Sequence, residues 1–294
     1  MNSVTLVGIG RVGRALRATI SAAGYHVDAL VVKDAFEWRN ANVNDPLIDH
    51  VTGIEELGLI DSSVVIISTQ DSEIPNVVLR LRGLIRPGCL VFHTSGSISS
   101  EILTPLKHAG AHIGSIHPLV SVAGGRADEK QFRDVFFCVE GDPEACSFAD
   151  TMVSDLGGEV FSIRPEHKSL YHAAAVVACG HLTALVESSL VMMEHAGVAR
   201  TTARKILMPL IQSTVENIDR MSTSNALTGP FARGDVETIE RHLASLKAVD
   251  DRHLSEIYSL LGEYSLSLAL EKGVDSGRVE AIREKINIAR SSFK

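Results

Sequence analysis

The stretch that decides the fold is Val4-Thr5-Leu6-Val7-Gly8-Ile9-Gly10-Arg11-Val12-Gly13-Arg14-Ala15-Leu16. Residues 4–7 form a short apolar, β-branched run that reads as a buried strand. Three glycines in the spacing Gly-x-Gly-x-x-Gly follow at once, and an amphipathic helical pattern over 12–23 opens behind them. In that context Gly8 permits the tight turn, Gly10 lets the backbone approach a pyrophosphate, and Gly13 lets the helix pack close to the strand. Free N–H groups and the positive dipole end of the helix then favour phosphate. The pattern predicts a dinucleotide cradle formed by Gly8, Ile9, Gly10, Arg11, Val12 and Gly13. The bland alternative is a tight strand-to-helix turn that holds no ligand.

Working outward, similar strand-like runs recur at 27–32, 64–68, 90–93, 113–116 and 135–139. Helix-length segments such as 74–84 and 99–109 lie between several of them. That alternation predicts a doubly wound α/β sheet, a Rossmann domain over residues 1–163. Beyond Ile163 the strand signals stop, and helical periodicity runs through 165–196, 201–221, 235–247, 251–271 and 278–290. Pro165 suits a first helical position and Gly197 a helix stop. An all-helical C-terminal domain over 164–294 is expected, with 222–234 as a loop-like interval.

Length agrees, since 294 residues suit two domains. Lys and Arg number 28 against 36 Asp and Glu, so the formal charge of −8 lacks the basic footprint of a nucleic-acid or acidic-membrane binder. Cys89, Cys138, Cys146 and Cys179 show neither CxxC pairs nor zinc spacing. Free thiols in a reducing compartment, with no metal, are therefore expected. The N-terminus carries no leader pattern. Residues 169–186 lack formal charge and are long enough to span a bilayer. They include Tyr171, His172, Gly180 and His181, which suit a buried helix better than lipid. The expectation is a soluble, cytoplasmic chain without a membrane segment.

The end of the second strand bears on cofactor choice. Lys33 stands 20 residues after Gly13, where a ribose-binding acid is usual, and Asp34 follows it. A cation there favours a 2′-phosphate, hence NADP; a one-residue slip would let Asp34 serve a free 2′-hydroxyl, so NAD stays possible. Three strand ends carry polar residues: Thr69-Gln70-Asp71, His93-Thr94-Ser95-Gly96-Ser97 and His117-Pro118-Leu119-Val120-Ser121. In open α/β sheets such ends form the ligand rim. Thr69, Gln70, Thr94 and Ser95 are placed beside the cofactor and His117 beside the substrate. Ser97 reads as an N-cap.

The helical half opens Pro165-Glu166-His167-Lys168-Ser169-Leu170-Tyr171-His172. Lys168 and His172 share a helix face. A Lys in a first turn opposes the helix dipole, at a cost of about 0.3–1 kcal/mol. A bound anion or a catalytic task would offset that; a surface Lys beside Glu166 is the plain alternative. Further on, Asp235 suits the cap of a helix carrying Thr238 and His242, and Arg233 either clamps a substrate carboxylate or braces its loop.

Taken in order, the Gly-x-Gly-x-x-Gly turn, the His-Thr-Ser-Gly and His-Pro-Leu segments, Lys168…Tyr171-His172-Ala173-Ala174-Ala175 and Ala226-Leu227-Thr228-Gly229-Pro230…Arg233-Gly234-Asp235 resemble a known group. It is the Rossmann-like family carrying the domain of unknown function 2520. That family is related to the 6-phosphogluconate dehydrogenase, β-hydroxyacid dehydrogenase, pyrroline-5-carboxylate reductase and ketopantoate reductase superfamily. The resemblance implies an NADP-dependent oxidoreductase that reduces a small keto acid by hydride transfer, ketopantoate first, with an imino acid as the alternative. The long apolar helices and the uncharged run 169–186 predict a homodimer through the helical halves, and the resemblance points the same way. The superfamily's lysine matches Lys168, but the positions where many members carry an Asn hold His172 and Gly180. Ser121 matches the substrate-loop serine. Lys168 is expected to act on the substrate oxygen, with His117 or His172 as an alternative acid. A dinucleotide-binding sensor or scaffold without chemistry is the rival reading.

Overall fold

The computed structural model describes residues 3–122, 130–249 and 251–291. The chain divides into two compact units, Met1–Gly180 and His181–Lys294.

The first unit is built on an eight-stranded sheet. Its strands are β1 Ser3–Val7, β2 His26–Val32, β3 Val51–Gly53, β4 Val64–Ile67, β5 Leu90–His93, β6 His112–Pro118, β7 Phe136–Gly141 and β8 Glu159–Ser162. The helices are α1 Arg11–Ala22, α2 Ala35–Ala41, α3 Ile74–Leu81, the short α4 Thr104–Lys107, α5 Pro143–Asp155 and α6 Lys168–Val176. Spatial order is β3-β2-β1-β4-β5-β6-β7-β8, so the chain reverses direction between β1 and β4, the switch point of a doubly wound sheet. Neighbours are parallel except β6 and β7, which run antiparallel. An antiparallel pair needs no crossover helix.

Side chains sort by the two-residue strand period. Val4, Leu6, Ile66 and Phe92 pack with Leu16 and Ile20 of α1 and Met152 of α5. Val7, Val65, Ile67 and Val91 pack with Val77 and Leu81 of α3 on the other face. The six strands expected from sequence are present. The structure adds β3 and β8, both too short to show a period, and α5, whose alanines blunt its apolar stripe.

The second unit is helical: α7 Leu182–His195, α8 Arg200–Arg220, α9 Thr223–Ala226, α10 Gly229–Arg233, α11 Val236–Val249, α12 Arg252–Glu271 and α13 Ser276–Ser291. A π-helical turn, Val177–His181, joins α6 to α7 and straddles the division between the units. Ile239 and Leu243 of α11, Leu266 of α12, and Val279, Ile282 and Ile286 of α13 make the core. The interval 222–234 is not a plain loop. Ser222 caps α9 by accepting from Asn225 N at 3.3 Å, Pro230 sits in the first turn of α10, and Gly234 stops it at φ +62°. Among the described residues one helical run, Pro165–His195, is long and apolar enough to cross a membrane, and only 6% of its most apolar window is buried.

Candidate active site

The glycine turn is shaped by steric need. Gly8 has φ +94°, and a Cβ there would stand 2.8 Å from Thr69 N. A Cβ on Gly13 would overlap Gly8 O and lie 2.7 Å from Ser68 Oγ, which itself donates to Gly8 O at 2.6 Å. Gly10 is the opposite case: nothing lies within 4 Å of its would-be Cβ. It precedes α1 without a side-chain cap, and the first turn carries no acid. Ile9 turns into the core and Val12 packs against it, while Arg11 is exposed. The backbone alone therefore faces the open space, as a phosphate requires.

A cleft of about 580 Å³ continues from this turn, lined in part by Gly8, Val32, Lys33, Glu55, Thr69 and Arg80. Lys33 is solvent-facing, 3.9 Å from Glu73, and Arg80 pairs with Glu55 at 2.7 Å. Asp34 instead caps α2, accepting from Glu37 N at 2.8 Å. Of the two residues weighed at this strand end, Lys33 lines the cleft and Asp34 is held by a helix.

Along the rim, Thr69 is half-buried with Oγ1 unpartnered, Gln70 is exposed, and Thr94 N extends the ladder to Ile67 O at 3.0 Å. Ser95 is engaged structurally: its hydroxyl donates to Asp71 Oδ2 at 2.8 Å and accepts from Ser97 N and Ile98 N at 3.2 and 3.1 Å. Ser97 also donates to Asp71, at 2.7 Å. It is not a helix cap. Ser99 fills that role, accepting from Glu101 N.

The antiparallel register of β6 and β7 arranges the rest. Ser115 faces Glu140 across the pair, and two residues on, His117 faces Cys138. Helix α6 lies over this ladder, so residues 168 and 171 meet alternate rungs. Lys168, 1% exposed, donates to Glu140 Oε1 at 3.0 Å and to Ser115 Oγ. Glu140, 4% exposed, also accepts from Ser100 N at 2.9 Å and Ser100 Oγ at 2.6 Å. The charge opposing the helix dipole is thus offset by a buried carboxylate. Two rungs higher, the Tyr171 hydroxyl lies 2.7 Å from His117 Nδ1. The His117 ring stands edge-on to both Tyr171 and His172, with centroids at 5.7 and 5.5 Å. A Cβ on Gly96 would overlap His172 Nδ1 and lie 2.7 Å from His117 Nε2, so two ring nitrogens converge on one point. His172 Nδ1 is buried without a partner. Burial, then His172 and Lys168, push the His117 imidazole down to about 4. His93 beneath, fully buried, is pushed to about 4 by burial and by Lys168.

Sequence reasoning named Lys168, His117 and His172, and the first unit brings all three together. It missed Glu140, Ser115 and the role of Tyr171. A lone carboxylate closing the apolar run Phe136-Phe137-Cys138-Val139 was the available signal. Ser121 is exposed beyond β6. Arg233 ends α10 in the second unit, its guanidinium 3.9 Å from Asp235, which caps α11 through Thr238 N at 3.1 Å.

These features define a doubly wound, dinucleotide-type sheet with a polar rim, and comparison with known proteins agrees. Residues 1–118 match the model of the Rossmann-like domain, and residues 135–265 match that of the Domain of unknown function (DUF2520). Glu140, Lys168, Tyr171 and His172 all fall within the second match. No curated protein matches the chain. Among solved structures it is similar to a Bacteroides fragilis protein described as an NADP oxidoreductase, at 21% identity and TM-score 0.73, covering 90% of this chain and 98% of that one. It also resembles a Plasmodium falciparum pyrroline carboxylate reductase with NADP bound, at 12% identity and TM-score 0.56, covering 98% of each chain. An imine reductase from Pseudomonas sp. gives 17% identity and TM-score 0.57, covering 99% of this chain and 94% of that one. Such identities establish a common fold.

Proposed function

We propose that the chain is an NADP-dependent oxidoreductase acting on a small keto or imino acid. The observation that carries this reading is the cleft at the β1–β4 switch point, with the glycine turn at one end and Lys33 on its wall. Gly8 and Gly10 would approach the pyrophosphate while Gly13 keeps α1 packed against the strand end, with Lys33 at the 2′-phosphate and the ends of β4 and β5 at the nicotinamide. When bound, the reduced cofactor supplies a hydride. The pyrroline carboxylate reductase and imine reductase of the same fold lend support.

Between substrates, the site favours C=N over the ketopantoate-like C=O. A carbonyl needs a proton or positive charge at its oxygen as hydride arrives. Lys168, expected for that task, is enclosed by Glu140 and Ser115. An imine can enter already protonated, and the chain then needs only to bind and orient it.

The test is a screen of cyclic imino acids and 2-keto acids, following NADPH absorbance. Consumption of NADPH with an imino acid is expected, and tight cofactor binding without turnover of any compound would favour the sensor reading. Charge-assisted contacts to phosphate are worth about 1.5–3 kcal/mol, so NADPH should bind at least about tenfold more tightly than NADH. Lys33→Ala should erase most of that gap, and equal affinities in the parent protein would remove the basis for NADP.

We also propose a soluble, cytoplasmic homodimer formed through the helical unit. Ile206, Leu210, Val215 and Ile218 of α8 are exposed, while Arg204, Lys205, Glu216 and Asp219 interleave with them. A mixed face of this kind suits a second copy better than lipid. Light scattering at micromolar concentration should give twice the chain mass. A monomer, or a chain that sediments with lipid vesicles, would contradict the assignment.

A further inference from the structure

We infer that Asp71 is a specificity-determining residue: its carboxylate, held on the Gly96 turn by Ser95 and Ser97, is the fixed negative charge that receives a protonated C=N group. This rests on the reductase reading, whose substrate it narrows to an iminium cation.

The placement comes from two neighbouring strand ends. Asp71 opens the 3-10 turn Asp71–Glu73 just beyond β4. Ser95 and Ser97 follow β5, which lies beside β4 in the sheet. Their hydroxyls both donate to Asp71 Oδ2, at 2.8 and 2.7 Å. Gly96 lies between these serines, at the point on which His117 Nε2 and His172 Nδ1 converge. The carboxylate is therefore anchored on the same turn that the two rings face, and its charge acts on the His117 and His93 rings against the effect of burial.

The charges at this rim single Asp71 out. Lys168 and Glu140 neutralise each other beneath it. Burial holds the His117 and His93 imidazoles down at about 4, so both rings are uncharged at neutral pH. Asp71 is exposed, has no cationic partner among the described residues, and accepts no hydrogen bond from them at Oδ1. Two hydroxyl donors fix the carboxylate without cancelling its charge.

Such a charge suits one of the two substrate classes. Reduction of a protonated imine forms a C–H bond with the transferred hydride, and the C=N π pair becomes the lone pair of a neutral amine nitrogen. The positive charge leaves the substrate and reappears on the oxidised nicotinamide ring, so the site holds one cation before and after. Asp71 complements it at both stages. Reduction of a carbonyl instead gathers negative charge on oxygen until a proton arrives, and that charge would form beside a carboxylate. The rim thus selects for an iminium and against a keto acid.

The test uses the full chain and probes that do not react. Pyrrolidinium is the cation and tetrahydrofuran its uncharged isostere, each titrated by NMR on the Gly96 amide, with and without NADPH. Pyrrolidinium should bind about fivefold more tightly, the scale of an ion pair at a solvent-facing rim. Asp71→Asn keeps an acceptor for both serines and removes only the charge, so it should bring the two probes within about twofold of each other. Equal binding of the probes by the parent protein, or a cation preference that survives in Asp71→Asn, would overturn the inference. The parent comparison needs neither turnover nor a variant that folds. A chain that prefers pyrrolidinium through Asp71 yet binds neither NADPH nor NADH keeps the cation site and loses the reductase reading.

Discussion

Glu140→Ala lowers the unfolding free energy by about 3–5 kcal/mol, the expected cost of leaving a buried charge without its partner. Lys168 has no route to water at 1% exposure, and Ser115 alone cannot compensate an ammonium. Domains of this size are stable by about 5–15 kcal/mol, so the loss is a large share of the total. Lys168→Ala should cost a similar amount, because the Glu140 carboxylate would keep only its two bonds from Ser100. The double change Lys168→Met with Glu140→Gln removes both charges and should cost less than either single alanine. Urea unfolding of the four proteins decides the matter. Single variants within 1 kcal/mol of the parent, an order-of-magnitude threshold for a surface pair, would show that the pair is not held as described.

Gly96→Ala should reduce turnover by at least about 100-fold while leaving the cofactor bound, since misplacement of about 1 Å at a reacting site costs that much. The added methyl would take the point on which His117 Nε2 and His172 Nδ1 converge. Its neighbours there are imidazole rings, not backbone, so the rings move and the strand end stays. Overpacking of this kind costs about 1–3 kcal/mol of stability. The checking measurement is kcat beside the NADPH dissociation constant on the substrate found by the screen. Turnover within a few-fold of the parent would mean that neither histidine ring serves the reaction.

Much of the fold was legible because it is written in short-range pattern. The 4–13 stretch carries strand, turn and helix signals in sequence, and long helices such as α8 and α12 repeat their period several times. What escaped notice was short or non-local. β3 has three residues and β8 four, too few for an alternation to emerge. The interval holding α9 and α10 reads as a loop because each helix is about one turn long. In the site, the sequence marked Lys168 through its misfit with the helix dipole, and that misfit was real. Its answer, Glu140, sits 28 positions away on a different element. Only the register pairing Ser115 with Glu140 brings it beneath the helix, and an antiparallel pairing of β6 with β7 is invisible in composition. Tyr171 stood in view in the motif, but its partner His117 is 54 positions earlier.

The attachment of α6 to the sheet also changes where the chain can sensibly be cut. A fragment ending at Ile163, where the helical periodicity takes over, would retain Glu140 but lose the ammonium that neutralises it. It would also uncover Phe161 and Cys138, which Tyr171 shields. Ending after Gly180 keeps both halves of the ion pair on one piece. For anyone seeking to express the sheet-bearing unit alone, the first helix after the sheet belongs with the strands that precede it.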